Sequence, residues 1–167
     1  MPAGCALLCA VLSLSGQTLS GRRAPSFSLP DSRLLQHDIM DYRGKWLLLD
    51  FMKTDCPHCK DLSRALEALK NRLGGKADVL SVIIAPPETT ETARLYVAET
   101  KITSPLVFDQ GQVAVAYFKA TPSNPQFDTP HLFAIDPNGQ IVKDWGMAGT
   151  SSKGFATELE QLINGKK

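Results

Sequence analysis

Apolar and polar positions along this chain fall into two alternating periods. Trp46-Leu47-Leu48-Leu49-Asp50-Phe51-Met52 and Asp78-Val79-Leu80-Ser81-Val82-Ile83-Ile84-Ala85 are nearly unbroken apolar runs of strand length. Such runs are expected of strands covered on both faces. Between them, Leu62, Ala65, Leu66, Leu69 and Leu73 recur at helical spacing, and Gly74-Gly75 supplies a stop. Thr90 to Lys101 reads as an amphipathic helix, Pro105 to Phe108 as a short strand and Gln112 to Phe118 as a short helix. Ala120 to Asp128, holding Pro122 and Pro125, reads as a loop. His131 to Asp136 and Gln140 to Met147 form two strands joined by the turn Pro137-Asn138-Gly139, and Ser151 to Ile163 closes the chain as a helix. Upstream, Ala24 to Asp31 is an extended segment broken by prolines, suited to a sheet edge. This order predicts an α/β fold, a mixed central sheet with helices on both faces.

The first strand runs into Cys56-Pro57-His58-Cys59, which opens the first helix. Pro57 suits the first helical position, where a missing N–H costs nothing. Cys56 then falls at the N-cap, near unpaired N–H groups and the positive end of the helix dipole, which favours thiolate. Cys59 lies one turn further in and leans towards the covered face. Spacing of i, i+3 on a helix brings the two Cα atoms within reach of a disulfide. An exposed attacking sulfur beside a shielded resolving one is what a dithiol catalyst needs.

Composition narrows the choice of chemistry. The 167 residues suit one domain with a real core, and 18 basic against 17 acidic side chains leave a net charge of +1. That balance gives no electrostatic reason to expect nucleic acid or a membrane surface as partner. Met1 to Ser20 carry no charged side chain, and Cys5 to Leu14 are nearly all apolar, too short to span a bilayer but fitting a secretory leader. Ser13/Ser15 or Thr18/Ser20 are candidate cleavage pairs, although Arg22 and Arg23 follow the apolar run where a basic group should precede it. The division predicted is therefore a leader over residues 1–20 and one domain over residues 21–167. Cleavage would remove Cys5 and Cys9, leaving Cys56 and Cys59. One close pair makes a poor long-loop staple, and a four-ligand zinc site would lack its second pair. Redox chemistry is the remaining use.

The chain carries Ala24-Pro25-x-Phe27-x-Leu29-Pro30-Asp31, Arg43-Gly44-Lys45, Cys56 to Cys59, Thr129-Pro130 before a strand, and Asp136-x-Asn138-Gly139, in that order. Taken together, these motifs resemble the thioredoxin-like superfamily, in particular its exported thiol–disulfide oxidoreductases of the TlpA/ResA type. The resemblance spans Ala24 to about Ile163. It implies a thioredoxin-like fold, a redox disulfide between Cys56 and Cys59, and a cis proline at Pro130. Thr129 before that proline would present backbone to substrate, and Pro57 and His58 would shape the site. It also implies protein thiols and disulfides as substrates, an upstream redox partner, no cofactor or metal, and a monomeric protein exported to the periplasm or outside the cell without a stable membrane span, unless an uncleaved leader tethers it to the membrane. Thr121-Pro122 competes with Thr129-Pro130, but no strand follows it. Asp50 stands where thioredoxins carry a buried acid; such a carboxyl has a raised pKa and can take the proton of Cys59. Many TlpA-like chains have Asn there.

Asp55 departs from the Trp common before the first cysteine and opposes thiolate formation at Cys56. An intermediate redox potential is the expectation, more oxidising than thioredoxin but short of dedicated oxidases. The loop from Ala120 to Asp128 is longer than usual and either shapes a substrate groove or is a tolerated insertion. His131 reads as a strand residue facing away from the sulfurs, and His37 as part of a polar loop. Two other functions compete with disulfide exchange. A peroxiredoxin-like peroxidase would require P-x-x-x-T-x-x-C, but Leu49 and Lys53 occupy the Pro and Thr places, with Thr54 one position out of register. A copper or haem-assembly chaperone would use Cys56, Cys59 and His58 as soft ligands, although copper carriers of that type separate their cysteines by three residues rather than two.

Overall fold

The computed structural model describes residues 18–84, 87–125 and 127–165. Residues 1–17, holding most of the expected leader together with Cys5 and Cys9, lie outside the described residues. Among the described residues, eight strands and five α-helices follow in the order β1 (Arg22–Arg23), β2 (Ser28–Pro30), β3 (Gln36–Asp38), β4 (Trp46–Met52), α1 (Pro57–Arg72), β5 (Ala77–Ile84), α2 (Thr90–Thr100), β6 (Leu106–Asp109), α3 (Gln112–Phe118), β7 (His131–Ile135), β8 (Gln140–Trp145), α4 (Met147–Thr150) and α5 (Phe155–Ile163). Six strands form one sheet in the order β1-β8-β7-β4-β5-β6. β4, β5 and β6 run parallel, whereas β7 is antiparallel to both β4 and β8. The α/β fold with a mixed sheet and helices on both faces is therefore as the periodicity predicts.

Strand alternation sorts the core into two sides. Leu47, Leu49 and Phe51 of β4 join Leu80, Val82, Phe133 and Ile135 beneath Val113, Ala114, Tyr117 and Phe118 of α3. Leu48 faces the other way and packs with Val79, Leu132 and Ala134 under Leu62, Leu66 and Leu69 of α1, its C-cap Leu73, and Phe155, Leu159 and Ile163 of α5. Met52 continues that second side into a patch with Ile83, Ala93 and Tyr96. Ser63, rather than Ala65, is buried on α1, because its hydroxyl meets the Tyr96 hydroxyl at 2.7 Å.

Three local departures from the periodicity have physical causes. The extended N-terminal segment does not join the central sheet by β2; it folds back on β3 as a separate antiparallel pair. Asp31 closes that hairpin by accepting from Arg33 N at 2.8 Å and Leu35 N at 3.0 Å, and a single bridge from Asp31 to Val107 sets the hairpin beside β6. His37 is thus a β3 residue, 3.3 Å from both Asp31 and the Tyr42 hydroxyl. β8 ends at Trp145, before the expected Met147, where the Met147 N–H donates to Asp128 Oδ2 at 3.0 Å and Met147 opens α4 with Gly146 as its N-cap. A Cβ on Gly146 would meet the same oxygen at 2.5 Å. The closing helix, expected from Ser151, begins only at Phe155 as α5; Ser151 to Gly154 form a turn, and the short α4 precedes that turn.

Phe51, Tyr117, Phe118 and Phe133 meet mostly edge to face, with centroids 5.2 to 5.7 Å apart. Phe133→Ala removes the ring common to three of these contacts. It should cost ~3–5 kcal/mol in urea unfolding, the range for buried aromatic truncation.

Candidate active site

The site grows from the C-terminal end of β4. The turn Lys53–Cys56 leaves the sheet there, closed by Cys56 N donating to Lys53 O. α1 begins at Pro57 with Cys56 as its N-cap in an extended conformation, φ −91° and ψ 115°. Cys56 Sγ accepts the backbone N–H of Cys59 at 3.2 Å, so the sulfur satisfies one of the helix's orphan donors. Cys56 and Cys59 are joined in a disulfide with Cα atoms 5.2 Å apart. Cys56 is half-buried, Pro57 and His58 are exposed, and Cys59 is fully buried among Met52, Ile83 and Tyr96. The asymmetry expected of an attacking and a resolving sulfur is thus present in the burial of the pair.

Asp50 is fully buried in the middle of β4. By alternation it points to the α1 side of the sheet, between Leu48 and Met52, and so to the face on which Cys59 is buried. Neither carboxyl oxygen has a hydrogen-bond partner. Desolvation pushes its pKa up to about 8. Ser81, its register partner on β5, pulls weakly the other way but lies outside hydrogen-bonding geometry. The expectation of a solvent-shielded acid on the cysteine side of the sheet is met.

The Thr129–Pro130 bond is cis. His131 follows and pairs with Phe51, so Pro130 stands at the register position of Met52, where β4 ends and the cysteine turn begins. Pro130 is buried and Thr129 half-buried. Thr121-Pro122, the competing pair, lies in a tight turn closed by mutual backbone bonds between Thr121 and Asn124. His131 faces the α3 side, stacked among Phe118 and Phe133, with Nε2 3.0 Å from Asp144 Oδ2. It points away from the sulfurs.

The loop from Ala120 to Asp128 borders a groove of about 480 Å³ with Leu19, Phe118 and His131, on the α3 side rather than beside the cysteines. A second groove, about 300 Å³, runs from His58 along Asp61, Leu62 and Ala65 to Thr150 and Ser151 of the α4 end. It begins within the cysteine motif itself. Among the described residues no group of three or more His, Cys, Asp or Glu side chains is placed to hold a metal ion, and no helix is long and apolar enough to cross a membrane. Sequence reading missed Glu88, whose carboxylate reaches the turn before Cys56 from 34 residues away. Only the acid preceding a Thr-rich helix start hinted at it.

The AhpC/TSA family model matches residues 20–144. Thioredoxin-like protein YneN of Bacillus subtilis is 30% identical over 145 residues, which are 86% of this chain and 78% of that protein. Thiol-disulfide oxidoreductase ResA of Geobacillus thermodenitrificans is 30% identical over 137 residues, 80% of this chain and 71% of that one. Among solved structures, the thioredoxin domain of a thiol-disulfide oxidoreductase from Bacteroides vulgatus superposes with a TM-score of 0.69 at 21% identity, covering 87% of this chain and 98% of its own. A thiol:disulfide interchange protein from Bacteroides sp. gives 0.68 at 22% identity, covering 89% and 92%.

The raised pKa of Asp50 makes stability depend on pH with a definite sign. The folded carboxyl holds its proton up to about pH 8, whereas the unfolded one releases it near 3.8. Stability is therefore unaffected by this group below the lower value and falls as pH rises between the two, by at most ~1.4 kcal/mol per pH unit. Asp50→Asn should flatten that slope, measured by urea unfolding of the oxidised protein at several pH values from 4 to 8.

Proposed function

Because this chain belongs to the AhpC/TSA family, within the thioredoxin-like fold, we propose that it is a thiol–disulfide oxidoreductase acting on protein substrates through Cys56 and Cys59. The observation that carries this reading is the disulfide itself, with a half-buried sulfur at a helix N-cap and its partner fully buried one turn in. In the reducing direction the Cys56 thiolate attacks one sulfur of a substrate disulfide. A Cys56–substrate bond forms, the substrate S–S bond breaks, and one substrate thiolate leaves. Cys59 then attacks Cys56 Sγ, the Cys56–Cys59 bond forms, and the second substrate thiolate is released. Two electrons have passed to the substrate, and an upstream dithiol returns the pair to its reduced state. Run backwards, the same steps oxidise a substrate dithiol.

In the fraction of molecules in which it is ionised, a minority at neutral pH, Asp50 takes the proton of Cys59 in the second step. A carboxyl whose pKa is about 8 lies close to that of a thiol, so transfer between them is nearly balanced. Thr129, before the cis bond, offers backbone to the substrate chain beside the sulfurs. The groove starting at His58 is the better candidate for substrate side chains, since the 120–128 loop borders the opposite face. The apolar run from Cys5 to Leu14 supports reading the protein as exported. Leu19 packs on the core and Ser20 bonds to Asp144, which favours cleavage after the Ser13/Ser15 pair over removal of these residues.

Cys59→Ser should trap mixed disulfides with substrate proteins at Cys56 on a non-reducing gel, whereas Cys56→Ser should trap none. Wild-type protein should catalyse reduction of insulin by dithiothreitol; turnover of hydroperoxide without such catalysis, or tight copper binding by the reduced protein, would favour the competing readings. Asp50→Asn should leave the first exchange nearly unchanged and slow resolution by roughly 10²-fold, the low end for a lost general base. Equal slowing of both steps would reduce Asp50 to a packing role. Equilibration with glutathione should place the pair between thioredoxin and the dedicated oxidases, and Asp55→Trp should move it to a more oxidising potential.

A further inference from the structure

The turn that delivers Cys56 is tied to a distant helix by one carboxylate. Lys53, Thr54 and Asp55 connect the last residue of β4 to the N-cap of α1. Within that turn only Cys56 N to Lys53 O, at 3.4 Å, holds the backbone together, and this is a long bond. Glu88 supplies what the turn lacks. Its Oε1 accepts the backbone N–H of Thr54 at 2.7 Å, and its Oε2 accepts the Thr54 hydroxyl. The same Oε2 accepts the Thr92 hydroxyl at 2.8 Å. Thr92 is itself fixed, since Thr89 and Thr92 cap the start of α2 reciprocally. A single side chain thus clamps both donors of Thr54 to a capped helix end.

We propose that Glu88 is a positioning residue for the attacking sulfur: through Thr54 it holds the Lys53–Asp55 turn so that Cys56 stays at the N-cap of α1. This rests on the reading of Cys56 as the nucleophile. The physical reason is geometric. Cys56 gains its donor from Cys59 N only while it keeps its cap conformation. Four residues upstream, at Met52, the chain leaves a rigid strand, so a free turn would let the sulfur drift off the helix axis. A carboxylate accepting two bonds from one residue fixes both the position and the orientation of that residue, as a single bond would not. The charge state agrees. Burial alone would raise the Glu88 pKa, but the bonds from Thr54 and Thr92 and the nearby Lys53 hold it below the usual range, so the clamp is ionised wherever the enzyme operates.

A positioning role and a charge effect make opposite predictions. If Glu88 acted only by its negative charge, its removal would make the Cys56 thiolate easier to form. If it acts by holding the turn, its removal takes the sulfur away from the helix end and makes the thiolate harder to form. The test is the pH profile of iodoacetamide alkylation of the reduced full chain, followed on the Cys56 peptide by mass spectrometry, with urea midpoints taken in parallel. Glu88→Gln, which cannot accept from Thr54 at both ends, should shift the profile upward by about one pH unit, the size of a lost helix-end interaction. Thr54→Val should shift it in the same direction, the double variant should go no further than the larger single, and Thr54→Ser should restore the wild-type profile. A downward shift in Glu88→Gln with a silent Thr54→Val would assign the effect to charge. Lower urea midpoints with unchanged profiles would leave Glu88 a stabilising contact only. Either result overturns the proposal. Alkylation needs no disulfide substrate, so failure of the oxidoreductase reading would show instead as absent insulin reduction by the wild-type protein.

Discussion

Every part of the site hangs from β4, and β4 is held on both sides. Seven of its residues pair in parallel with β5 and five pair antiparallel with β7. With no free edge and both faces covered, the strand cannot shift register without moving its whole apolar set to the wrong face. Its C-terminal end is therefore a fixed point. The cysteine turn starts there, and the antiparallel pairing brings the cis bond before β7 to the same place. Parallel neighbours alone could not do this, since β5 approaches through α1 and leaves that end of β4 in the same direction. The antiparallel β7 arrives from outside and sets Thr129-Pro130 across from the strand's last residue.

A strand buried so completely is a costly location for an acid. Asp50 sits there without a partner, so it must keep its proton or be desolvated as a charge, and desolvation dominates its pKa. An Asn or Leu at this position would give a more stable protein at neutral pH. What the acid gains from the burial is a match to thiol chemistry: a solvated aspartate would be too weak a base to accept a thiol proton. Under the proposed mechanism, stability and proton transfer oppose each other at this one residue. The opposition is tolerable because the rest of the face, Leu48, Leu66, Leu69 and Leu132, is tightly packed.

How far the sequence could be read follows the range of the interactions. The helix start at Cys56-Pro57 and the inward lean of Cys59 depend on residues within one turn, and both were legible. So were the two-sided strands, from their unbroken apolar runs. Thr129-Pro130 was legible only through resemblance, since nothing in a Thr-Pro dipeptide selects the cis form. The early end of β8 was not legible. It coincides with Asp128 accepting the Met147 N–H, a bond between distant segments that no periodicity encodes. Ser63 took a core place from Ala65 for the same kind of reason, a hydroxyl partner on another helix. The Glu88 clamp is the extreme case: 34 residues separate donor from acceptor, and the acceptor sits in a stretch with no hydrophobic pattern.

Magnitudes also limit how oxidising this architecture can be. A cysteine pair three residues apart closes a short loop. In the chain-entropy account such a loop favours the disulfide in the folded protein by about 2 kcal/mol, against ~3 for a fifteen-residue loop. On the opposite side, a thiolate at a helix N-terminus gains ~0.3–1 kcal/mol, or up to ~2 where partly buried. The two effects are similar in size and opposite in sign. Thioredoxin and the strongest exported oxidase differ by about 150 mV, which at ~30 mV for each 1.4 kcal/mol is roughly 7 kcal/mol. No helix end supplies that much alone. A strongly oxidising pair must add further donors and positive charge around the first sulfur. Here the residue before it is Asp55, an exposed carboxylate whose repulsion water screens but does not abolish. Cys56 has one backbone donor from Cys59 N and an acid beside it in sequence. On the proposed reading, these opposing effects leave Cys56 activated enough to attack and its disulfide neither strongly held nor strongly repelled, as a carrier that passes electrons onward would need.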